Sequence, residues 1–181
     1  NKERLGAFMD AVIAIVMTIL VLELEKPSGP TLEAFWELRI NFAAYALSFL
    51  WLAAMWTSLH NAWHVAEKIS SRTMWLSMGL LFASSLFPYA TSLVSTYFTS
   101  QVVQGFYGIV VIATTVMMML IYSSLAKDDT RENTVKYMKT VNGFLLIDVG
   151  IKVVGTIAGV LFCPPLVSIG VLIAAIFIMI V

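Results

Sequence analysis

The chain has 181 residues, of which 60% are hydrophobic and 12% charged, and its formal net charge is zero. Soluble domains carry about twice that share of charged residues, so the composition excludes an ordinary soluble domain and predicts a membrane protein. The neutral charge excludes the basic surface that nucleic-acid binding requires. The single cysteine, Cys163, excludes an internal disulfide and a cysteine-rich metal site.

Six apolar stretches approach the length of about 20 residues that a membrane-spanning helix requires. They predict transmembrane helices over about 5–22, 40–66, 74–96, 102–125, 141–162 and 166–181. The fold class is therefore an all-α membrane protein with one six-helix domain over residues 1–181. Pro88 predicts a kink in the third span. The longest connection, residues 23–39, contains two prolines and a glycine and is interpreted as a turn.

The two ends of the chain support this interpretation. Lys2 and Arg4 precede the first apolar run, as in a signal peptide, but the run is long for one. Glu23 and Lys26 follow it where a small-residue cleavage site would be expected. At the other end the sequence is still apolar at Val181, so we expect the chain to be truncated there.

Basic residues are concentrated on one predicted side of the membrane. Eight of the eleven lie at the N-terminus and in the second-to-third and fourth-to-fifth connections: Lys2, Arg4, Lys68, Arg72, Lys127, Arg131, Lys136 and Lys139. The opposite side has Lys26 and Arg39, and Lys152 lies within a span. The positive-inside rule therefore predicts a multi-pass protein of the cell membrane with both termini in the cytoplasm.

Three charged side chains lie clearly within predicted spans, where each costs about 2.5–3.5 kcal/mol at mid-depth and is a candidate functional group. Asp148 and Lys152 are four residues apart on the fifth helix, so they share a face. We favour an intramembrane ion pair that stabilises this helix over a transport role. Asp10 in the first span has no cation one turn away, so its partner must come from another helix or from water.

Four residues of the first span, Ile15, Thr18, Ile19 and Leu22, form a stripe about 100° wide when residues are plotted at about 100° intervals. Asp10 lies about a third of a turn from that stripe, so the carboxylate and the stripe face different neighbours. From periodicity alone, the stripe is interpreted as a lipid-facing or packing surface. The Thr18 hydroxyl is expected to bond back to the carbonyl of Ala14.

The second span ends with His60, His64 and Glu67 at a spacing that could bind a metal from one helix face. No matching ligand pair occurs elsewhere, so we expect interhelical hydrogen bonding there and no metal. Enzyme motifs are missing from the sequence, including a Walker loop, a dinucleotide fingerprint and a nucleophile elbow. The link Cys163-Pro164-Pro165 leaves no room for a re-entrant selectivity filter. We therefore expect neither an enzyme nor a cofactor.

Residues 4–10 read Arg-Leu-Gly-Ala-Phe-Met-Asp, which resembles the Arg-x-x-x-Phe-Ser-Asp signature of the transmembrane-protein-175 family of potassium channels. Trp56-x-x-x-His60 in the second span and Pro88-Tyr-Ala-Thr91 in the third span are similar to further motifs of that family. Met9 departs from the usual serine. The resemblance extends over all six spans in order.

The resemblance implies a potassium-selective or potassium-permeable cation channel, built as a homotetramer in a bacterial inner membrane, with potassium as the permeant ion. The first helices would line the pore, and rings of aliphatic side chains would form a hydrophobic constriction that acts as gate and selectivity element. The resemblance assigns the constriction to Ile15, to Thr18 or Ile19, and to Leu22. It assigns an interhelix network to Arg4, Phe8, Asp10, Trp56 and His60.

Two other functions remain open. The first is a proton-permeable channel or proton-coupled transporter that uses Asp10, His60 and the Asp148–Lys152 pair as relay groups. The second is an accessory membrane protein without a permeation path. A channel is favoured by the acidic link between the first two spans, where four glutamates outnumber Lys26 and Arg39 and would concentrate cations at an outer mouth.

Overall fold

The computed structural model describes residues 2–180 and contains only helices as regular structure in that range. Eight helices follow one another along the chain. They are α1 (Lys2–Leu22), α2 (Leu32–Glu37), α3 (Arg39–Val65), α4 (Ser71–Ser85), α5 (Phe87–Thr96), α6 (Gln101–Asp128), α7 (Glu132–Leu161) and α8 (Leu166–Ile180). The all-α expectation is confirmed, and several helices are apolar enough to cross a membrane.

Five passages have the length and composition of membrane spans: α1, α3, α4 together with α5, α6 and α7. The last helix, α8, has 15 described residues and is shorter than the about 20 that a span requires. The predicted sixth span ended at Val181, which lies outside the described residues.

The third predicted span is divided into two helices at Leu86, the kink that Pro88 predicts. Pro88 has no backbone N–H to donate to the preceding turn, so the α-helical hydrogen-bond ladder is interrupted there. The Leu86 N–H bonds instead to the carbonyls of Ala83 and Ser84. Ser84 and Thr91, on either side of this break, are buried among neighbouring helices.

Two helices extend beyond what the sequence predicts. The fifth span was expected to begin near residue 141, but α7 begins at Glu132, because a helix continues past the membrane core through a polar segment that hydropathy does not detect. Within the link predicted as a turn, α2 forms because Thr31 accepts a hydrogen bond from the Ala34 N–H and caps a short helix.

Helix α6 lies at the centre of the fold and packs against α4, α5, α7 and α8. Small residues allow the close approach of α7 and α8: a Cβ added at Gly155 would lie 3.1 Å from the Gly170 Cα. Helix α1 packs on the other side of the bundle, against α3, α4 and α5. One of its faces therefore remains outside this packing.

The end of the bundle that holds Lys2, called here the basic end, is tied together by two aspartates at the end of α6. Asp128 accepts hydrogen bonds from the Ser70 N–H (3.0 Å) and the Thr73 hydroxyl (3.0 Å). Asp129 accepts a hydrogen bond from the Glu67 N–H at 3.3 Å. These carboxylates satisfy backbone donors in the link between α3 and α4 and so fix its path.

Arg131 binds the same link from the other side. Its guanidinium donates to Asp129 and, at 2.7 Å, to the Val65 carbonyl at the end of α3. The hydrogen bonds from Arg131 hold the pKa of the Asp129 carboxyl well below its usual range.

A carboxyl whose pKa is lowered by folding stabilises the fold above its unfolded pKa of about 4, and that contribution is lost as pH falls through the folded value. We therefore expect Asp129→Asn to loosen the α3–α4 link at pH 7 and to differ progressively less from the native protein below about pH 4. Amide hydrogen exchange of residues 66–70 measures this, corrected for the intrinsic pH dependence of exchange. Glu132→Gln, at an exposed carboxylate near the same end of the bundle, is the control. A difference between native and Asp129→Asn protein that grows on acidification would contradict the assignment.

Candidate functional site

Helix α1 has two distinct faces. The buried face consists of Leu5, Met9, Ile13, Val16 and Leu20, at the three- and four-residue spacing of a helix stripe. On the opposite side, Leu22 is 78%, Ile15 57% and Ile19 37% exposed. The stripe predicted from the sequence thus lies outside the packed core of the subunit and is available to lipid or to a partner.

Thr18 is also exposed on this face, and its hydroxyl bonds to the Ile15 carbonyl at 2.8 Å. The expected partner was the carbonyl of Ala14, one residue earlier, so the bond spans three residues instead of four. Both are local bonds that a hydroxyl in a helix makes to the preceding turn. An oxygen atom with free lone-pair capacity therefore remains beside the two isoleucines.

Asp10 obtains its partner from α3. The indole N–H of Trp56 donates to the Asp10 Oδ1 at 2.8 Å. A hydrogen bond to a charged group is stronger than one between neutral groups, although this one lies at an exposed position on the subunit. The bond joins the first half of α1 to the second half of α3 and restricts rotation of α1 about its own axis.

The other members of the predicted network lie nearby but differ in their surroundings. The His60 ring lies against that of Trp56, with 5.2 Å between centroids. Arg4 is exposed, and Phe8 is 51% exposed. The structure thus brings together Asp10, Trp56 and His60, and leaves Arg4 and Phe8 on the open side of α1.

The second predicted feature, the pair Asp148 and Lys152, is buried with each residue 1% exposed. The Lys152 ammonium donates to the Asp148 carboxylate and, at 2.8 Å, to the Thr115 hydroxyl on α6. It also lies 4.5 Å from the centre of the Trp51 ring on α3, a cation–π distance. The pair therefore joins three helices, whereas the sequence placed it within one.

The structure contains further buried polar contacts that the sequence did not predict. The Ser48 hydroxyl on α3 accepts a hydrogen bond from Thr91 at 2.7 Å and contacts the Tyr107 hydroxyl at 3.1 Å. These three residues come from α3, α5 and α6, far apart in the chain. The only sequence signal is a hydroxyl within each apolar span, which does not identify its partner.

No group of three or more His, Cys, Asp or Glu residues in the described range 2–180 is arranged to hold a metal. The spacing of His60, His64 and Glu67 assumed one continuous helix. Helix α3 ends at Val65, so Glu67 lies beyond it in the link to α4. There its N–H bonds to Asp129, which draws the backbone away from the helix axis.

Comparison with protein-family models gives a match over residues 4–88 to TMEM175, described as the endosomal/lysosomal potassium channel TMEM175. The matched segment contains α1 from its third residue onward and all of α2, α3 and α4, and therefore both Asp10 and Trp56.

Curated relatives match over similar lengths. A potassium channel of Chryseobacterium sp. (strain P1-3) is 36% identical over 60% of this chain and 57% of its own length. A potassium channel of Streptomyces collinus is 30% identical over 61% of this chain and 57% of its own length. The chicken endosomal/lysosomal proton channel TMEM175 is 34% identical over 54% of this chain and 22% of its own. The chain thus matches little more than half the length of its bacterial relatives.

A solved structure shares the fold across nearly the whole chain. The lysosomal potassium-selective channel TMEM175 homolog from Chamaesiphon minutus superimposes with a TM-score of 0.75 at 21% identity, covering 99% of this chain and 96% of that one. Fold and sequence together define a multi-pass helical membrane protein. Over residues 4–88 the chain is similar to the TMEM175 family.

The bond between Asp10 and Trp56 predicts energetic coupling between α1 and α3. We expect Asp10→Ala and Trp56→Phe each to destabilise the protein, and the double variant to lose about 1 kcal/mol less than the sum, because the pair is partly exposed. Thermal unfolding of the four proteins in one detergent measures the coupling. Trp75→Phe, at an exposed indole on α4, is the control for loss of an indole. Additive losses would show that the bond does not stabilise the fold.

Proposed function

We propose that the protein is a potassium-permeable cation channel, and that the α1 helices of a homotetramer line its pore. The observation that carries the proposal is the exposed α1 stripe, which lies opposite the face that packs into the subunit. The names of the bacterial relatives, potassium channels in both cases, support the choice of ion.

Around a fourfold axis the stripe would place rings of Ile15, Ile19 and Leu22 side chains toward one another. Such rings offer no oxygen to replace the water of an ion, so a narrow ring excludes water and blocks conduction until it widens. Thr18 would add hydroxyl oxygens beside the constriction. This arrangement supports a hydrophobic gate that also favours potassium, which sheds its water more readily than sodium does.

The charges at the two ends of the bundle support the proposed channel and its orientation in the membrane. The exposed Glu23 and Glu25 follow directly on Leu22, and four copies would make the outer mouth negative. Basic residues collect at the end of the bundle that contains Lys2, which the positive-inside rule assigns to the cytoplasm. The proposed topology has six spans and both termini in the cytoplasm.

Proton permeation is the second candidate, because the chicken relative is named a proton channel. The Asp148–Lys152 pair is the buried titratable group that such a path would use. Asp10 and His60 belong to a different contact group, around Trp56. A relay through all four residues would therefore need water to connect the two groups.

Flux through reconstituted liposomes tests the proposed constriction. We expect passive potassium flux from the native protein, and Ile15→Ala and Leu22→Ala to raise flux severalfold while lowering the preference for potassium over sodium, because a smaller side chain widens a hydrophobic ring. Val21→Ala is the matched control, since Val21 is 49% exposed on α1 but lies outside the stripe.

The same vesicles separate the candidate functions. A pH-sensitive dye reports proton entry, and proton flux that disappears in Asp148→Asn while potassium flux is absent would favour the proton path. No flux of either ion would exclude a channel. Unchanged flux and ion preference in both α1 variants would exclude the assigned constriction and leave the pore elsewhere.

Cross-linking tests whether α1 helices meet on a symmetry axis. In a Cys163→Ser background, Ile15→Cys is expected to form disulfides between copies in membranes under mild oxidation, because symmetry-related stripe positions approach one another. Ile13→Cys is the control, since Ile13 is 1% exposed inside the subunit. Cross-linking of neither variant, or of Ile13→Cys alone, would contradict an α1-lined pore.

A further inference from the structure

A groove of about 650 Å³ lies between the basic-end halves of α3 and α7 and the last turns of α8. It is called here the lateral groove and is defined by Ala53, Asn61, Thr140, Phe144 and Ile178. Asn61 and Thr140 are exposed, whereas Ala53, Phe144 and Ile178 are half-buried. The groove is therefore open along its side, and it lies away from the α1 stripe.

The lining of the lateral groove changes from apolar to polar toward the basic end. Ala53, Phe144 and Ile178 line its deeper part, and the Phe144 ring is fixed by an edge contact with Phe177. Asn61 is four residues from the end of α3 and Thr140 lies in the third turn of α7, so both line the shallow part. The apolar part of the lining matches the acyl chain of a membrane lipid, and the polar part matches its ester-linked glycerol.

The polar groups of the groove divide into two kinds. Thr57 and Ser58 are engaged, because Thr57 bonds to the Ala53 carbonyl at 2.9 Å and Ser58 contacts the Tyr122 hydroxyl at 2.8 Å. Within residues 2–180, the side chains of Asn61 and Thr140 make no hydrogen bond to protein. Both side chains are therefore free to donate hydrogen bonds, and a ligand in the groove with acceptor oxygens would bond to both.

The rim of the groove is positively charged. Thr140 also lines an adjoining surface depression, together with Lys136, Lys139 and the single carboxylate of Glu132. Two ammonium groups against one carboxylate leave a net positive rim directly beyond the two unpaired polar groups. Lysines beside a membrane surface attract anionic lipid headgroups.

We propose that the lateral groove binds an anionic phospholipid of the leaflet at the basic end. The acyl chain lies along Ala53 and Phe144, the glycerol ester oxygens accept hydrogen bonds from Asn61 and Thr140, and the phosphate is held by Lys136 and Lys139. Apolar lining, free donors and basic rim occur in the order in which such a lipid presents its parts. The proposal does not depend on the channel function.

Lipid retention in nanodiscs of equal phosphatidylglycerol and phosphatidylcholine tests the proposal. The protein is released into native mass spectrometry, and bound lipids are counted for the native chain, Lys136→Gln/Lys139→Gln, and Ala53→Phe, which fills the groove without changing charge. Lys68→Gln/Lys127→Gln is the control, since it removes two lysines of the same end outside the groove. Gel filtration confirms that all variants keep the native assembly.

We expect the native chain and the control to retain phosphatidylglycerol severalfold over phosphatidylcholine, and both groove variants to lose that preference. Loss in the lysine variant alone, with Ala53→Phe unaffected, would indicate general attraction at the rim and overturn a groove site. Equal retention of both lipids by the native chain would also overturn it.

Two further arms identify the occupant. Inorganic phosphate at millimolar concentration is expected to leave the lipid bound; displacement by phosphate alone would show a simple anion site instead of a lipid site. Ala53→Cys in a Cys163→Ser background is expected to remain uncross-linked in membranes. A disulfide between copies at this position would show that a second copy of the chain covers the groove.

Discussion

The hydrogen bond between the Trp56 indole and the Asp10 carboxylate is the constraint on which the arrangement of α1 depends. Apolar packing by Met9, Ile13 and Val16 draws one face of α1 against the bundle, but contacts between aliphatic side chains are non-directional and permit rotation. A directional bond at one edge of that face removes this freedom. Because this bond limits rotation of α1, the stripe of Ile15, Ile19 and Leu22 faces away from the packed core.

Polar contacts also set the remainder of the bundle. Lipid is as apolar as leucine, so membrane helices associate through close packing and interhelical hydrogen bonds rather than through a hydrophobic driving force. The ammonium of Lys152 supplies such contacts to Asp148, Thr115 and Trp51, across three helices. Close packing supplies the rest, most clearly where Gly155 and Gly170 meet. Interhelical polar contacts and close packing thus hold both α1 and the rest of the bundle in place.

Sequence alone predicts the features that depend on local composition. Hydropathy identifies most apolar helices to within a few residues, Pro88 predicts the break beside it, and helical periodicity isolates the α1 stripe. Features that depend on distant residues escape it. Asp10 clearly required a partner, yet nothing local selects Trp56, and the spacing of Asp148 and Lys152 hides Thr115 and Trp51. The nine-residue extension of α7 is missed because polar helix outside a bilayer has no hydropathy signal.

The positions of two polar tethers of α1 have a structural consequence. Lys2 donates to the Ala66 carbonyl at 2.7 Å, and Asp10 accepts from Trp56, so both described tethers to α3 and its link lie in the first half of the helix. Beyond them, Val16 and Leu20 pack into the subunit through apolar contacts. The about 18 Å of α1 from Asp10 to Leu22 therefore lies beyond these tethers and packs through apolar contacts. A tilt of α1 about Asp10 would move Leu22, at the end nearest the acidic link, further than any residue between them.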